Sequence, residues 1–311
     1  MKQPKTWALA ATFLLAAPAQ AGAQPDRTVR MYSFLTDRPS QVELAYPVRD
    51  RAMPRTVRFG PQAGTEQRED GYRPVDWLEI TGCGRRDVRV GPDVLARLPA
   101  GRLWLARAGT PAGRSEACQL PALRIWFWIA SYPEDDGQAR HELWQLSFAA
   151  SGAPQLTAAG GRDAAWALAA RADAAGAAGW RSGRPDRMVV SSSWRPGTFP
   201  RETELRFETV AGQRGVPSYR PYSVAVTGCD GPPLRLGREA FVGVSGDFYG
   251  FAIRATGGDD GCNTRNMRLL LSQSVRAPGG TRDVLWEVRA DLTGQAALYG
   301  PDPDLLDPDL D

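Results

Sequence analysis

The sequence is poor in the residues on which much enzyme chemistry depends. Its only lysines are Lys2 and Lys5, and its only histidine is His141. Without other lysines there is no Walker A motif, G-x-x-x-x-G-K-[ST], and no candidate Schiff-base lysine within the body of the chain. One histidine cannot build a His-rich zinc hydrolase site or a chain of His proton relays. These absences argue against nucleotide-driven phosphoryl transfer and against zinc hydrolysis of that type.

Other motifs with a known mechanism are missing as well. The sequence has no G-x-S-x-G nucleophile elbow, no C-x-x-C-H haem attachment and no C-x-x-C redox pair. After the N-terminus, no apolar run approaches the roughly 18 residues expected of a membrane helix. We therefore identify no catalytic residue, no metal ligand and no cofactor, and we expect no membrane span in the mature chain.

The first 23 residues predict a cleavable signal peptide. Two lysines precede an apolar stretch at residues 7–17, and small-x-small cleavage sites end at Ala21 and Ala23. A stretch of this length is too short to span a bilayer. The bias toward Ala, Gly and Arg indicates a GC-rich bacterium, so we expect a periplasmic or secreted protein of the bacterial envelope.

The charge balance of the mature chain is close to neutral. Cleavage would remove both lysines and leave 36 Arg against 35 Asp and Glu. A net charge near +1 provides no excess of positive charge for binding nucleic acid through counterion release. Nucleic acid is therefore not an expected partner.

An internal repeat organises the sequence. Tyr-Arg-Pro at 72–74, followed by Thr-Gly-Cys at 81–83, recurs as Tyr-Arg-Pro at 219–221, followed by Thr-Gly-Cys at 227–229. Several further spaced positions match in the same order, and they include the second cysteine and a tryptophan of each unit. The repeat predicts a tandem duplication.

Apolar residues alternate within both units, and alternation is typical of half-buried strands. The predicted fold is all-β: two copies of a disulfide-stapled β-sandwich or small β-barrel, joined by a short Ala-rich helical linker. The alternating positions are Val88/Val90, Leu103/Leu105, Ile125/Phe127/Ile129 and Leu234/Leu236. The predicted divisions are a signal peptide at 1–23, a first unit at 27–152, a partly helical linker at 153–186, a second unit at 187–294 and a flexible acidic Pro/Asp tail at 295–311.

The four cysteines favour disulfide bonds within the units. Four cysteines allow three pairings, and the repeat favours Cys83 with Cys118 and Cys229 with Cys262, because each unit then closes an equivalent loop. A four-thiolate metal site is the alternative, but zinc ribbons place their cysteines in close pairs, which this sequence lacks.

The most unusual stretch is Ile-Trp-Phe-Trp-Ile at 125–129. Both faces of such a strand are apolar and must be covered, and Trp126 and Trp128 share one face. One interpretation is a stacking platform for a sugar ring or a partner's apolar side chain. The alternative is packing against the other domain or the linker.

Several arginines recur between the units and are candidates for anion binding, because guanidinium groups bind carboxylates and phosphates bidentately. We take Arg89 and Arg124 as candidate ligand-binding residues beside Trp126 and Trp128. The alternative is that these arginines face water and keep the sheet soluble.

His141 and two acidic loops are weaker candidates. A histidine beside a carboxylate such as Glu142 could act as a general base, but no nucleophile or oxyanion hole accompanies it. The acidic loops at 134–137 and 258–261 could bind calcium, but neither has the residue order of a calcium loop.

The sequence thus favours an exported, non-catalytic binding or interaction protein of the bacterial envelope, whose partner is an envelope protein or a glycan. Two alternatives stay open. One is a carboxylate-dependent hydrolase of envelope or extracellular polysaccharide, with Asp or Glu as acid and base. The other is a structural subunit of a secreted assembly.

Overall fold

The computed structural model consists mostly of β-strands, as the alternating residues predict. Helical structure in the part of the chain that it describes is limited to short segments such as α1 (Pro92–Leu95), beside eighteen strands. The described residues are 34–35, 39–63, 72–111, 117–131, 139–164, 180–192, 200–211, 217–244, 247–255, 262–265, 267–277 and 280–302. The predicted signal peptide at 1–23 lies outside them.

The strands are numbered along the chain. They are β1 (Phe34–Leu35), β2 (Gln41–Ala45), β3 (Thr56–Gly60), β4 (Trp77–Thr81), β5 (Val88–Val90), β6 (Arg102–Pro111), β7 (Arg124–Ser131), β8 (Arg140–Phe148), β9 (Pro154–Gly160), β10 (Trp180–Ser182), β11 (Arg187–Ser191), β12 (Glu202–Ala211), β13 (Pro217–Thr227), β14 (Leu234–Leu236), β15 (Asp247–Ala255), β16 (Met267–Ala277), β17 (Gly280–Ala290) and β18 (Ala296–Asp302).

Three sheets are formed from these strands. The largest has eight antiparallel strands in the order β14-β13-β12-β11-β2-β3-β4-β5. The other two have five strands each, in the orders β10-β6-β7-β8-β9 and β1-β15-β16-β17-β18. The eight-stranded sheet therefore combines strands β2–β5 of the first half of the chain with strands β11–β14 of the second half, through the pairing of β2 with β11.

The eight-stranded sheet has one apolar and one polar face, because successive side chains of a strand point to opposite sides. In β2, Val42 and Leu44 are buried on the inner face, whereas Glu43 belongs to the outer face. Buried apolar side chains of the inner face belong to the same core cluster as those of the two five-stranded sheets. Phe59 of β3 meets Phe127 of β7 edge-to-face, with ring centroids 5.6 Å apart.

Strand β7 is buried on both faces, as its apolar sequence predicts. Every residue from Ile125 to Ala130 is buried, and only the two terminal residues are partly exposed. β7 is the central strand of its five-stranded sheet, between β6 and β8.

Both predicted disulfides are present. Cys83 bonds to Cys118 with 4.7 Å between the Cα atoms, and Cys229 bonds to Cys262 with 4.8 Å. Two such bonds fit a non-cytoplasmic protein, because structural disulfides persist in oxidising compartments. None of the described helices is long and apolar enough to cross a membrane.

Strands occupy part of the segments predicted as linker and tail. Residues 154–160 form β9, which pairs with β8, and residues 296–302 form β18, which pairs with β17. The five-stranded sheets therefore extend beyond residues 152 and 294. The predicted helix lies at 164–178, of which only Ala164 is described, and residues 303–311 of the predicted tail lie outside the described residues.

Two buried tyrosines fasten the chain in front of β2 and in front of β11. The Tyr72 hydroxyl donates a hydrogen bond of 2.8 Å to the Pro39 carbonyl, and the Tyr219 hydroxyl donates to the Pro185 carbonyl. Each tyrosine thereby satisfies a backbone acceptor that is distant in sequence.

We expect Tyr72→Phe and Tyr219→Phe each to lower the free energy of unfolding by about 1–3 kcal/mol, because a buried carbonyl loses its donor. Tyr299→Phe is the control, since the ring under Arg289 is kept. Denaturant unfolding measures the three differences. Equal stability of Tyr72→Phe and the unmodified protein would contradict the anchoring role.

Candidate functional site

The paired tryptophans of β7 are buried. Trp126 is 5% exposed and its indole N–H donates to Gln145 Oε1 at 3.0 Å. Trp128 is 2% exposed and its indole N–H donates to His141 Nδ1 at 3.0 Å. Both rings belong to the core cluster, so neither presents an open face for stacking, and the packing interpretation is favoured.

His141 is an acceptor for a core tryptophan. Its ring lies edge-to-face with Trp128, with 5.6 Å between the centroids. Burial, and to a smaller extent the positive charge of Arg162, holds the pKa of His141 below its ordinary value of about 6.5. The neighbouring carboxylate of Glu142 accepts a hydrogen bond from Trp144. The structure therefore gives His141 a packing role and joins it to no nucleophile among the described residues.

Acidification is expected to destabilise the protein through His141. A base whose pKa is lowered by folding contributes stability above the unfolded pKa, and this contribution is lost as the pH falls through the folded pKa. Protonated Nδ1 also ceases to accept from Trp128. The single imidazole Hε1 signal in a proton NMR titration should therefore have a midpoint below 6.5, and a midpoint at or above this value would be contrary to the prediction.

His141→Gln provides the matched stability test, because an amide oxygen can accept from Trp128 without titrating near neutral pH. Between pH 7 and pH 5 we expect the unmodified protein to lose more of its unfolding free energy than this variant loses. Parallel pH profiles of the two proteins would show that His141 does not contribute to the pH dependence.

Arg124 stabilises a local turn. Its Nη1 donates to the carbonyls of Pro121 and Leu123, both at 2.8 Å, at the short 3-10 turn Leu120–Ala122. Arg73 and Arg220 likewise donate to carbonyls of the helical turns that follow β5 and β14, at Ala96 and at Phe241. Their guanidinium groups therefore bind the chain's own backbone.

Arg89 is the exposed member of the four predicted ligand-binding residues. It lies on β5, on the outer face of the eight-stranded sheet, with Nε 3.1 Å from Glu79 Oε1. Its exposure agrees with the expectation that an arginine alternating with strand valines faces water.

Arg89 extends a longer line of charges that the sequence did not reveal. The arginine–glutamate row is the set of seven side chains on this outer face: Arg89, Glu79, Arg58, Glu43, Arg187, Glu204 and Arg206. Four contacts join five of these side chains: Arg58 Nε to Glu43 Oε2 (2.5 Å), Arg187 Nη1 to Glu43 Oε1 (3.4 Å), Arg187 Nε to Glu204 Oε2 (3.3 Å) and Arg206 Nε to Glu204 Oε1 (2.5 Å). The pair of Arg89 and Glu79 lies beside them, because Glu79 is opposite Arg58 in the strand register.

The row exposes its cations and shields its carboxylates. The side chains of Arg58, Arg187, Arg206 and Arg89 are 43%, 41%, 48% and 84% exposed, respectively. Those of Glu43, Glu79 and Glu204 are 7%, 19% and 21% exposed. A partner that approaches this face therefore meets guanidinium groups first.

Each end of the row is an arginine that donates a hydrogen bond to a glutamate: Arg206 to Glu204 and Arg89 to Glu79. The bond to Glu204, and then its negative charge, raise the pKa of Arg206 further above its ordinary range. Exposed ion pairs contribute little to stability on their own. Glu43 differs, because a buried carboxylate needs its two arginines to compensate for its desolvation.

The sequence predicts which face these side chains occupy, but not that they lie next to one another. Glu43, Arg58, Glu79 and Arg89 each stand between two apolar strand residues, which predicts that they face water. Their adjacency depends on strand pairing, and the pairing of β2 with β11 joins residues that are distant along the chain. The periodicity of one strand does not carry that information.

No group of three or more metal-ligating side chains occurs in the described residues. The acidic loops at 134–137 and 258–261 lie outside these residues. The carboxylates of the row are all bonded to arginine, and nothing in their arrangement singles out an acid and base pair for hydrolysis.

Comparison with known proteins assigns the chain to no family. No protein-family model matches the chain, and no curated protein and no solved structure matches it.

Proposed function

We propose that this protein is an exported, non-catalytic binding protein of the bacterial envelope, and that the arginine–glutamate row is its contact surface. The observation that carries the proposal is the difference in exposure between the arginines and the glutamates of the row. Guanidinium groups held by neighbouring carboxylates keep outward N–H donors for a second acceptor.

The occupant we propose is a linear glycan with carboxylate groups. Arg89 and Arg58 lie two strands apart on one line, and neighbouring strands are about 4.8 Å apart, so the backbone positions of the two arginines are spaced by about 10 Å. This spacing is on the scale of a disaccharide unit. A row that crosses several strands of one sheet suits an extended polymer with repeating acidic groups, and charge complementarity favours a carboxylate.

Two further proposals concern the origin and the compartment of the chain. We propose that residues 27–152 and 187–294 derive from a tandem duplication, each as a β-sandwich, with the cleavable signal peptide at 1–23. The offset between the halves supports the duplication: β2 and β3 begin at residues 41 and 56, and β11 and β12 begin at 187 and 202, each 146 residues later. The two disulfides support export to an oxidising compartment.

The test is calorimetric titration of the oxidised protein with polygalacturonate, with dextran as the uncharged polymer. We expect binding to polygalacturonate that weakens as salt is added, because exposed charges are screened. Arg89→Gln/Arg206→Gln should weaken it at least about tenfold, because two charged donors are lost. This pair leaves both arginine partners of the buried Glu43 in place.

Arg86→Gln/Arg265→Gln is the matched control, since it removes the same charge from two exposed positions outside the row. Its affinity should equal that of the unmodified protein. An equal loss in both double variants would reduce the effect to net charge, and no binding to polygalacturonate, or binding only to an acidic protein, would overturn the proposed glycan.

A further inference from the structure

Each half of the chain provides a strand to the sheet of the other half. β10 precedes the second half, yet it pairs with β6, where Trp180 faces Pro111 and Ser182 faces Gly109. β1 lies before β2 in the first half, yet it pairs with β15 of the second half, with Phe34 opposite Phe251; this pairing is parallel, whereas that of β10 with β6 is antiparallel. We refer to β1 and β10 as the two arms.

The halves also meet along the pairing of β2 with β11, which we call the seam. Five residue pairs form the seam, with Gln41 opposite Ser191, Glu43 opposite Val189 and Ala45 opposite Arg187. Because β11 begins 146 residues after β2, Val189 is the equivalent of Glu43. The seam therefore pairs this position with itself at its centre, as a two-fold axis requires.

Hydrogen bonds close both ends of the seam in equivalent ways. At one end the Ser40 N–H donates to the Ser191 carbonyl at 2.8 Å, and at the other the Asp186 N–H donates to the Ala45 carbonyl at 2.9 Å. Ser40 and Asp186 are again 146 residues apart. The pairing is that of an isologous interface, in which the same surface of two subunits meets itself.

The start of each arm is also fixed in an equivalent way. Tyr72 bonds to Pro39, which lies between the first arm and β2, and Tyr219 bonds to Pro185, which lies between the second arm and β11. Each half thus anchors the base of its own arm and gives the tip to the other half.

We propose that the two halves form an intramolecular dimer about the two-fold axis of the seam, with one arm of each half paired to the other half, and that the seam recognises a second copy of the same half. The seam, the arms and the shared core hold the halves together. The covalent connection between β9 and β10 is not needed for their association. The inference is independent of the proposed glycan, because its tests contain no ligand.

The first test cuts the full-length chain. A protease site is inserted between residues 165 and 179, the oxidised protein is folded and then cleaved, and the products are separated by size-exclusion chromatography at micromolar concentration. We expect the two fragments to elute together at the volume of the uncut protein. Elution as two separate fragments would overturn the proposal.

The second test links the seam. Glu43→Cys/Val189→Cys introduces thiols at directly opposed positions, where the Cβ atoms of paired strand residues are about 4.5–5.5 Å apart. We expect an additional disulfide, found by peptide mass, that keeps the cleaved fragments together on a non-reducing denaturing gel. Glu43→Cys/Ala225→Cys is the control, because Ala225 lies two strands beyond Val189, and it should give no link.

A link in the control but not in the Glu43→Cys/Val189→Cys variant would contradict the seam. If the additional thiols prevent folding, the cleavage experiment alone decides, because it changes no residue of the seam or of the arms.

Discussion

Phe127→Ala is expected to lower the free energy of unfolding by about 3–5 kcal/mol, the usual cost of removing a large aromatic side chain from a core. Phe127 is fully buried at the centre of β7, and its ring meets that of Phe59 in the eight-stranded sheet edge-to-face. The variant loses the contact of this ring with the eight-stranded sheet. It also leaves a cavity that neighbouring strands cannot fill without breaking their pairing.

Denaturant unfolding measures this cost, and two variants control it. Phe127→Leu keeps much of the apolar volume and should lose clearly less stability than Phe127→Ala. Leu292→Ala removes an apolar side chain that is fully exposed, so a change within about 0.5 kcal/mol is expected. A loss below about 1.5 kcal/mol for Phe127→Ala would show that β7 does not join the layers as described.

Truncation of Trp126 or Trp128 is likewise expected to destabilise the core. Because both side chains are buried and hydrogen-bonded, Trp126→Ala and Trp128→Ala remove core packing as well as any contact surface. Loss of ligand binding in these variants would therefore not locate a binding site on β7. Variants of Arg89 and Arg206 avoid this difficulty, since both side chains lie on the surface.

The sequence predicted the features that depend on local pattern. Alternation of apolar residues identified strands such as β5 and β7, and matched cysteine positions identified both disulfides. Local pattern failed at β9, whose sequence Pro-Gln-Leu-Thr-Ala-Ala-Gly has little intrinsic strand preference. Pairing with β8 makes it a strand, which illustrates how strongly tertiary context governs β-propensity.

Features that depend on pairing between distant strands could not be predicted. The seam, the arms and the arginine–glutamate row all require knowledge of which edges meet and in which register. A shift by one residue in the seam would turn Glu43 toward the core and Val42 toward water, so burial selects the observed register. Because burial is established only once the strands have paired, the sequence of a single strand does not reveal the register.

The second large effect is expected on removal of a disulfide. Cys83→Ala/Cys118→Ala and Cys229→Ala/Cys262→Ala open loops of 35 and 33 residues, and the chain-entropy model gives a loss of roughly 3–4 kcal/mol for each. The two values should be similar because the loops are similar in length.

The number of unfolding transitions shows whether the two halves unfold together. Buried side chains of both halves belong to one core cluster, so removing either disulfide is expected to shift a single cooperative transition of the whole chain. Two independent domains would respond differently, because only the half that lost its disulfide would unfold earlier. Calorimetry of the two double variants distinguishes these outcomes. A separate early transition in either variant would mean that the seam and the arms do not couple the halves energetically, even where they hold them in contact.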